Sequence, residues 1–314
     1  MKQTIAIVGG NGFVGKNFTS YFLDKGYRVI VVDHSIKKQA AENPDIEFVA
    51  VDIHHTKELL NVTEKAEYVI WLVHASVPST QDESLVDDFA LNVSPIVKFL
   101  EKADGLKNLK KFIYLSSGGT VYGDTTEHTP IKEDHAQKPI SNYGLSKSVA
   151  EKYIEYITKN KSFETVVLRP SNVYGPYQNL VKPQGIIGFA FKAIKSNLVL
   201  DLYDEGRVIR DFIYVKDLAN AVENFLNNNT ASENISFYNV GSKEGISIKE
   251  ILNKIENITG EKLKLNHKTS RNFDCDYSVL DTSKINQEIG WYRETNIEDG
   301  LLSVWEWIKS ENQL

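Results

Sequence analysis

The sequence predicts an α/β fold in which a doubly wound parallel sheet is followed by a smaller C-terminal α/β lobe. Short runs rich in Ile, Val, Phe and Tyr alternate with amphipathic stretches along the first half of the chain. These runs are TIAIV, YRVIVV, EFVAV, YVIWLV, KFIYL and TVVLRP. Such alternation is typical of strand–helix units in a parallel sheet buried on both faces, joined by right-handed crossovers. The chain of 314 residues is long enough to form two lobes on this plan.

The first helix is predicted directly after the first strand. Its apolar face consists of Phe13, Val14, Phe18, Tyr21 and Phe22. Gly26 follows at the place of a C-terminal capping glycine. Two later helices are expected to begin with capping boxes, Ser247 with Glu250 and Thr295 with Glu298.

A lobe boundary is predicted near Pro170, where the alternation gives way to SNVYGPYQNLVKPQG. Residues 1–170 are expected to form the first lobe and residues 171–314 mainly the second. The stretch at about 208–240 contains the strand-like RDFIYV, a helical pattern and the strand-like SFYNV. We expect this stretch to return to the first lobe.

Composition excludes several classes of partner. The formal net charge is −6, with acidic and basic residues interspersed, so the basic stripe that nucleic-acid binding needs is absent. Cys275 is the single cysteine, which excludes an intrachain disulfide framework and favours a reducing compartment. The N-terminal segment lacks the apolar length of a secretory signal, and no apolar run approaches membrane-spanning length. We therefore expect a cytoplasmic protein without nucleic-acid or membrane partners and without a metal site.

The segment VGGNGFVG after the first strand carries Gly9, Gly12 and Gly15 at intervals of three residues, around Asn11, Phe13 and Val14. A strand that turns sharply into a helix presents free backbone amides to a pyrophosphate, and glycines allow the ligand to approach. Asp33 ends the second strand, where a carboxylate can accept hydrogen bonds from an adenosine ribose. This context predicts NAD binding rather than a simple tight turn, although Lys37 and Lys38 leave NADP open.

Tyr143 and Lys147 stand four residues apart at the start of a helical pattern, so both side chains lie on one helix face. A nearby ammonium stabilises a phenolate and lowers the pKa of the phenol. The pair could then act as an acid/base on a substrate hydroxyl. Taken alone, the same spacing fits a solvated helix face.

With these motifs the chain resembles the extended short-chain dehydrogenase/reductase family, and within it the NAD-dependent nucleotide-sugar epimerases and dehydratases of the UDP-glucose 4-epimerase type. The resemblance covers nearly the whole length. It rests on the glycine motif, VDI, ALNVSPIVKFLEKA, LSSGGTVYG, Tyr143 with Lys147, LRPSNVYGP, RDFIYVKDLA, YNVGSKEGISI and VLDTSKINQEIGW. It implies a Rossmann domain in residues 1–170 that binds NAD and a second lobe that binds the substrate.

The resemblance also implies further site residues. Those expected at NAD are Asp52 and Ile53 near the adenine, together with Leu72, Val73, Asn92, Tyr143, Lys147 and Ser171. Those expected at the diphosphate of the nucleotide sugar are Asn172, Arg210 and Arg271. Arginine suits this role because it stays charged and can donate two hydrogen bonds to phosphate oxygens. A homodimer formed through the helices after Asp82 and Tyr143 is expected as well.

The serine-rich stretch LSSGGTVYG bears on the reaction. Dehydratases and decarboxylating relatives carry acidic residues just before VYG, where this chain has Gly119 and Thr120. The resemblance therefore favours a 4-epimerase that acts on a UDP- or dTDP-hexose through a 4-keto intermediate. An NAD(P)H-dependent reductase of nucleotide 4-keto-6-deoxysugars stays open, and so does a non-catalytic binding protein.

The chain departs from the family pattern at two places. Gly118 stands where most relatives have a Ser or Thr that contacts the reacting hydroxyl of the sugar, so Ser117 or Thr120 is expected to supply that group. The segment VIWLVHAS replaces a His-Leu-Ala-Ala pattern, so Trp71 and His74 alter the wall near the nicotinamide. His74 could be catalytic, but a histidine at a strand end more often makes a structural hydrogen bond.

Overall fold

The structure is a computed structural model that describes residues 2–36, 43–75, 84–124, 128–181, 184–228, 234–269 and 275–310. The strands up to Pro170 are β1 (Thr4–Val8), β2 (Arg28–Val32), β3 (Ile46–Val49), β4 (Tyr68–Trp71), β5 (Lys111–Leu115) and β6 (Glu164–Pro170). The remaining strands are β7 (Asn172–Tyr174), β8 (Val199–Tyr203), β9 (Ile209–Arg210), β10 (Phe212–Tyr214), β11 (Ile235–Val240), β12 (Ile246–Ser247), β13 (Lys264–Lys268) and β14 (Tyr277–Ser278). The helices are α1 (Phe13–Asp24), α2 (Thr56–Thr63), α3 (Leu85–Asn92), α4 (Ser94–Lys102), α5 (Gly118–Val121), α6 (Asn142–Thr158), α7 (Gly185–Lys195), α8 (Val215–Asn227), α9 (Ile248–Thr259), α10 (Ser283–Ile289) and α11 (Ile297–Ser310).

A seven-stranded parallel sheet forms the centre of the fold, with the strand order β11-β6-β5-β4-β1-β2-β3. The chain winds outward from β1 in both directions, so the strand order reverses between β1 and β4. Ligands bind such sheets at the carboxyl ends of the strands beside this reversal. The predicted doubly wound α/β fold is confirmed.

Both faces of the central sheet are buried, as the uninterrupted apolar runs predict. In β1, Ile5 and Ile7 belong to one hydrophobic cluster, whereas Ala6 and Val8 belong to a second one on the opposite face. Helices α1 and α8 pack against each other, and α4 packs on α6. The sheet is thus a rigid support for the loops that follow its strands.

Smaller sheets lie beyond β6. Strands β7 and β10 pair in parallel, β9 pairs with β12 and β14, and β8 pairs with β13. The chain returns to the central sheet through β11, whose residue Val240 pairs with Pro170 of β6. No helix within the described ranges has the length and apolar character needed to cross a membrane.

One of the two predicted capping boxes is present. The Ser247 side chain accepts from the Glu250 N–H, and the Glu250 carboxylate accepts from the Ser247 N–H at 2.9 Å. The prediction for Thr295 is wrong, because Asn296 caps α11 by accepting from the Asp299 N–H at 2.8 Å. Thr295 instead donates through its hydroxyl to the Asp217 carboxylate at 3.0 Å. Thr295 therefore does not cap α11, because its hydroxyl bonds to a residue that is distant in the sequence.

Candidate active site

The glycine turn after β1 is closely packed. Gly9 has a φ of +89°, and a Cβ atom there would lie 2.9 Å from Cγ2 of Val73. A Cβ atom at Gly15 would lie 2.5 Å from the Cα of Gly10, so α1 approaches the strand end as only glycines allow. Gly12 is the N-cap of α1 and provides no side-chain cap. The first N–H groups of α1 are therefore available to an anion.

Asp33 lies at the edge of this turn, as expected from the sequence. Its carboxylate accepts from the Asn11 N–H at 3.3 Å, from the Ser35 N–H at 2.9 Å and from the Ser35 hydroxyl at 2.7 Å. The Asn11 side chain also donates to Oγ of Ser35 at 2.9 Å. The carboxylate is thus fixed beside the first residues of α1, where a ribose would follow a bound pyrophosphate.

Asp52 and Ile53 follow β3 at the same edge of the sheet. Oδ1 of Asp52 accepts from the His54 N–H at 2.9 Å and lies 2.7 Å from Nδ1 of the same residue. These hydrogen bonds lower the pKa of Asp52. Ile53 is half-buried against the second hydrophobic cluster, next to Val51. Both residues thereby flank the end of the strand that the adenine side would face.

The loop after β4 begins with Leu72 and Val73 and is held by Asn92 at the end of α3. The Leu72 N–H donates to the Val8 carbonyl at 2.9 Å, which extends the strand pairing by one residue. Oδ1 of Asn92 accepts from the Ala75 N–H at 2.6 Å, and its amide group donates to Asp88 at 2.9 Å. Asn92 therefore anchors the loop of β4 to α3.

Tyr143 and Lys147 lie on the first turns of α6, which the Ser141 hydroxyl caps by accepting from the Gly144 N–H at 3.1 Å. Lys147 is buried, and its Nζ donates to the Leu115 carbonyl at 2.7 Å. The same Nζ lies 4.8 Å from the ring centroid of Tyr114 and 5.8 Å from that of Tyr143. The predicted helix face thus turns inward onto the end of β5 and is not solvated.

Burial controls the pKa values of Tyr143 and Lys147. Burial lowers the pKa of Lys147 to about 7, and the Glu151 carboxylate opposes that shift. Burial raises the pKa of Tyr143 to about 12, and a hydrogen bond with Ser117 opposes that shift. The expectation that Lys147 lowers the pKa of the phenol is therefore wrong for this structure, because burial raises that pKa and the group that opposes the rise is Ser117.

The serine-rich stretch places its two candidate hydroxyls differently. Ser117 precedes the short helix α5 and hydrogen-bonds with Tyr143. Oγ1 of Thr120 is buried and has no hydrogen-bond partner among the described residues. Gly118 has no room for a side chain, because a Cβ atom there would lie 2.5 Å from Cδ1 of Leu280. The structure thus brings Ser117, and not Thr120, to the tyrosine.

The residues expected at a diphosphate lie around β7, β9 and β10. The amide of Asn172 donates to the Asp211 carbonyl at 2.9 Å. Arg210 is half-buried, and its Nη1 donates to the carbonyls of Ile209 at 2.9 Å and Cys275 at 2.6 Å. Ser171 is buried at the end of β6, where its N–H donates to the Val240 carbonyl at 2.9 Å. Arg271 lies outside the described residues.

The comparisons with known proteins agree with this geometry. The model of the NAD dependent epimerase/dehydratase family matches residues 5–241 of the chain. The chain is 30% identical over 312 residues to a putative UDP-glucose 4-epimerase from Methanocaldococcus jannaschii, covering 98% of this chain and 99% of the relative. The protein belongs to the NAD-dependent epimerase/dehydratase family.

Two further relatives are informative. The chain is 28% identical over 313 residues to the dTDP-4-dehydro-6-deoxyglucose reductase of Escherichia coli, with 96% of each chain covered. The crystal structure of UDP-glucose 4-epimerase from Thermotoga maritima with UDP-glucose superposes with a TM-score of 0.89 at 26% identity, covering 99% of this chain and 100% of that one. The predicted family, the predicted enzyme type and NAD as the cofactor are confirmed.

The residues around the glycine turn fit NAD. The close approach at Gly9 and Gly15, the uncapped start of α1 and the fixed Asp33 carboxylate provide the surroundings that a dinucleotide of this family needs. Tyr143, Ser117 and Lys147 lie at the end of β5, on the other side of β4 from this turn.

Sequence reasoning missed two buried carboxylates that organise the site. Glu151 forms a buried ion pair with Arg169 at 2.7 Å and also accepts from Ser116. Asp211 is fully buried and accepts from the Ser242 hydroxyl at 2.7 Å and from the Leu280 N–H at 3.2 Å. The sequence did contain signals for both carboxylates. Glu151 lies one helical turn beyond Lys147, and Asp211 is adjacent to Arg210.

Proposed function

We propose that the protein is an NAD-dependent 4-epimerase of nucleotide sugars, acting on a UDP-hexose through a 4-keto intermediate. The observation that carries this proposal is the grouping of Tyr143, Ser117 and Lys147 at the end of β5, with no carboxylate at residues 119 and 120. The putative UDP-glucose 4-epimerase of Methanocaldococcus and the UDP-glucose 4-epimerase of Thermotoga, both similar to this chain, support it.

Tyr143 is the acid/base of the proposed reaction. Burial raises the pKa of Tyr143 to about 12, which favours the protonated phenol. NAD held at the glycine turn would supply the hydride acceptor and donor for sugar C4, and the positive charge of its oxidised form would lower the pKa of the phenol. The Tyr143 phenolate would then take the proton of the C4 hydroxyl as hydride leaves C4, and the phenol would give the proton back when hydride returns. The Ser117 hydroxyl, which hydrogen-bonds with Tyr143, orients the phenol and receives the sugar hydroxyl. Lys147 holds the end of β5 in place through the Leu115 carbonyl.

An epimerase has to return hydride to the opposite face of the same sugar carbon. It needs firm anchoring away from the sugar, so that the keto intermediate can turn over while the diphosphate stays bound. We assign that anchoring to Asn172, Arg210 and Arg271. In this proposal residues 1–170 form the NAD-binding domain and residues 171–314 mainly the lobe that binds the nucleotide sugar, with about 208–240 returning structurally to the first domain. We also propose a cytoplasmic location, in keeping with the single cysteine.

Elimination of water is not favoured at this site. A dehydratase needs an acid and a base in addition to the tyrosine, and the chain has Gly119 and Thr120 at the positions concerned. Packing does not impose the glycine, because a Cβ atom at residue 119 would meet only the amide atoms of Asn172, at 3.9 Å. A Cβ atom therefore fits at residue 119, so close packing around the first side-chain atom does not explain the glycine.

A second candidate is a reductase of nucleotide 4-keto-6-deoxysugars. The similarity to the Escherichia coli dTDP-4-dehydro-6-deoxyglucose reductase, which extends over 96% of both chains, favours it. Such an enzyme would use the same Tyr143 and Lys147 but would exchange its nicotinamide cofactor in every turnover.

One experiment separates the two reactions. The purified protein is examined for co-purified NAD and then incubated with UDP-glucose or UDP-galactose, without added reductant. Interconversion of the two sugars supports the epimerase. Turnover of a dTDP-4-keto-6-deoxysugar with consumption of NADH, and no interconversion, contradicts the epimerase and supports the reductase. Tyr143→Phe is the matched control, which should abolish hydride transfer but retain NAD.

We also propose that the protein is a homodimer formed through α3 and α6. These helices lie side by side, and Phe89 contacts Tyr153 edge to face with ring centroids 6.1 Å apart. Large apolar side chains remain exposed on both helices: Leu85, Val86, Phe89, Leu91, Leu145, Tyr153 and Tyr156. A second copy of the same pair would cover them and form a closed interface.

A further inference from the structure

His74 lies in the loop after β4 with its backbone held from both sides. Leu72 bonds to β1 through Val8, and Ala75 bonds to Asn92 at the end of α3 at 2.6 Å. The imidazole packs edge to face against the Tyr143 ring, with centroids 4.6 Å apart and planes at 76°. This position follows from the anchoring of the loop, and it places the ring directly beside the proposed acid/base.

Both ring nitrogens of His74 are buried, and neither has a hydrogen-bond partner among the described residues. The expectation of a structural hydrogen bond for this histidine is therefore wrong. Buried polar atoms in proteins nearly always have partners, so a pair of orphaned atoms on one side chain requires an explanation. A phenylalanine would give the same edge-to-face contact without leaving polar atoms unpaired. Packing against Tyr143 alone does not account for a histidine here.

The His74 imidazole is neutral over the physiological pH range. Burial lowers its pKa to about 2, and the positive charge of Lys147 acts in the same direction. A neutral imidazole has one N–H donor and one nitrogen acceptor. It therefore suits a ligand group that can both accept and donate a hydrogen bond, such as a hydroxyl. It suits a phosphate poorly, because a phosphate offers only acceptors and binds better to a cation.

The order of the strands indicates which hydroxyl lies nearest. β4 is flanked by β1, which leads into the glycine turn, and by β5, which leads to Ser117 and Tyr143. Val73 precedes His74 and is so close to Gly9 that a Cβ atom on Gly9 would lie 2.9 Å from Cγ2 of the valine. A dinucleotide whose pyrophosphate lies at the glycine turn and whose nicotinamide reaches Tyr143 must cross the end of β4. The part that crosses is the ribose of the nicotinamide half.

We propose that His74 is a cofactor-binding residue whose neutral imidazole hydrogen-bonds with a hydroxyl of the nicotinamide ribose of NAD. This inference rests on NAD binding at the glycine turn and does not depend on which sugar reaction follows. The bound cofactor would then supply the partner that neither ring nitrogen has among the described residues. The contact with Tyr143 then couples the position of that ribose to the ring of the acid/base.

The test compares three ligands that share the adenine half. ADP lacks the second ribose, ADP-ribose contains it, and NAD adds the nicotinamide. Dissociation constants are measured by isothermal titration calorimetry on protein freed of bound cofactor, for the natural chain and for His74→Phe. We expect His74→Phe to weaken NAD and ADP-ribose about tenfold, equivalent to about 1.4 kcal/mol, and to leave ADP binding unchanged. His74→Asn, which keeps a donor and an acceptor, should recover part of the loss.

Unchanged ADP binding also shows that the variant is folded at the glycine turn. The matched control is His267→Phe, which alters a half-exposed histidine on β13 that contacts Glu205. It should leave all three dissociation constants unchanged. Equal weakening of all three ligands by His74→Phe would contradict the proposal, and so would a loss confined to NAD, which would assign the contact to the nicotinamide. Unchanged binding of NAD and ADP-ribose would also overturn it.

Discussion

Leu280 fills the space that a side chain at residue 118 would need. A Cβ atom built on Gly118 would lie 2.5 Å from Cδ1 of Leu280 and 2.9 Å from the Arg169 carbonyl oxygen. Leu280 is fully buried and is held by the bond from its N–H to the Asp211 carboxylate at 3.2 Å. The serine or threonine of the family pattern is therefore absent for a steric reason, and the neighbouring Ser117 takes the position beside Tyr143.

Gly118→Ser should destabilise the protein without improving catalysis. We expect the free energy of unfolding to fall by about 1–3 kcal/mol, the usual cost of added atoms in a packed interior. Gly119→Ser is the matched control, because the nearest atoms to its Cβ would be those of Asn172 at 3.9 Å. Denaturant unfolding measures both variants. Equal free energies of unfolding for the two variants would contradict the steric explanation for Gly118.

Ser117→Ala and Thr120→Val should have different effects on turnover. Ser117 hydrogen-bonds with Tyr143, whereas the Thr120 hydroxyl has no partner among the described residues. Positioned acid/base groups contribute about 10²- to 10⁴-fold to rates, so we expect Ser117→Ala to lower kcat by about 10²-fold. Thr120→Val should leave kcat unchanged. If the threonine variant were the impaired one, the assignment of Ser117 would be wrong.

Lys147 should make the stability of the NAD-free protein depend on pH. Burial lowers its pKa to about 7, whereas the unfolded chain has an ordinary lysine pKa of about 10.4. Between these values the unfolded chain binds a proton at this position that the folded chain lacks, so the cost that this lysine imposes on folding falls as pH rises. Lys147→Met removes the group. We expect its advantage in unfolding free energy over the natural chain to shrink as pH rises from about 7 to about 10.

Denaturant unfolding of both NAD-free proteins at several pH values within this window measures the difference. Other titrating groups are common to the two chains and cancel. A difference that stays constant with pH would contradict a lowered pKa for Lys147.

Asp33→Asn should shift the cofactor preference toward NADP. The Asp33 carboxylate is fixed by the Asn11 and Ser35 N–H groups at 3.3 and 2.9 Å, and its charge repels a 2′-phosphate. The amide keeps the shape but removes the charge. We expect the ratio of the NADP and NAD dissociation constants to move about tenfold in favour of NADP, or about 1.4 kcal/mol. Titrations of the two cofactors measure this ratio, with Asp45→Asn as a surface control.

A charge placed on α3 should separate the proposed dimer. Val86 is 77% exposed in the single chain, and Val86→Glu would bury an unpaired carboxylate in the interface. Size-exclusion chromatography with light scattering should show a dimer for the natural chain and a monomer for the variant. Tyr292→Glu changes a 68% exposed residue on another surface and should leave the dimer intact. A monomeric natural chain would contradict the proposal.

The alternation of apolar runs and helical patterns was sufficient to predict the doubly wound sheet, because a strand buried on both faces has no polar face to break the run. The spacing of Tyr143 and Lys147 correctly predicted a shared helix face, and the glycines correctly predicted a sharp turn from β1 into α1. Such features depend on neighbours within a few residues. These features can therefore be predicted from the sequence without knowledge of the fold.

Contacts between distant segments could not be predicted in the same way. The Thr295 capping box failed because Asp217, remote in sequence, binds the threonine. The choice between Ser117 and Thr120 depends on Leu280 and Tyr143. The position of His74, whose ring nitrogens have no partner among the described residues, depends on how α3 anchors its loop. The proton affinities of Tyr143 and Lys147 follow burial in the assembled site rather than their spacing.

By itself, the sequence determined the alternation of strands and helices in the central sheet, the glycine turn after β1 and the helix face shared by Tyr143 and Lys147, since these follow from local geometry. The tertiary structure alone decided which hydroxyl meets Tyr143, why a side chain at residue 118 is disfavoured and which imidazole nitrogens lack partners among the described residues. Those outcomes depend on excluded volume and on the loss of water, and both arise only when segments far apart in the chain come into contact.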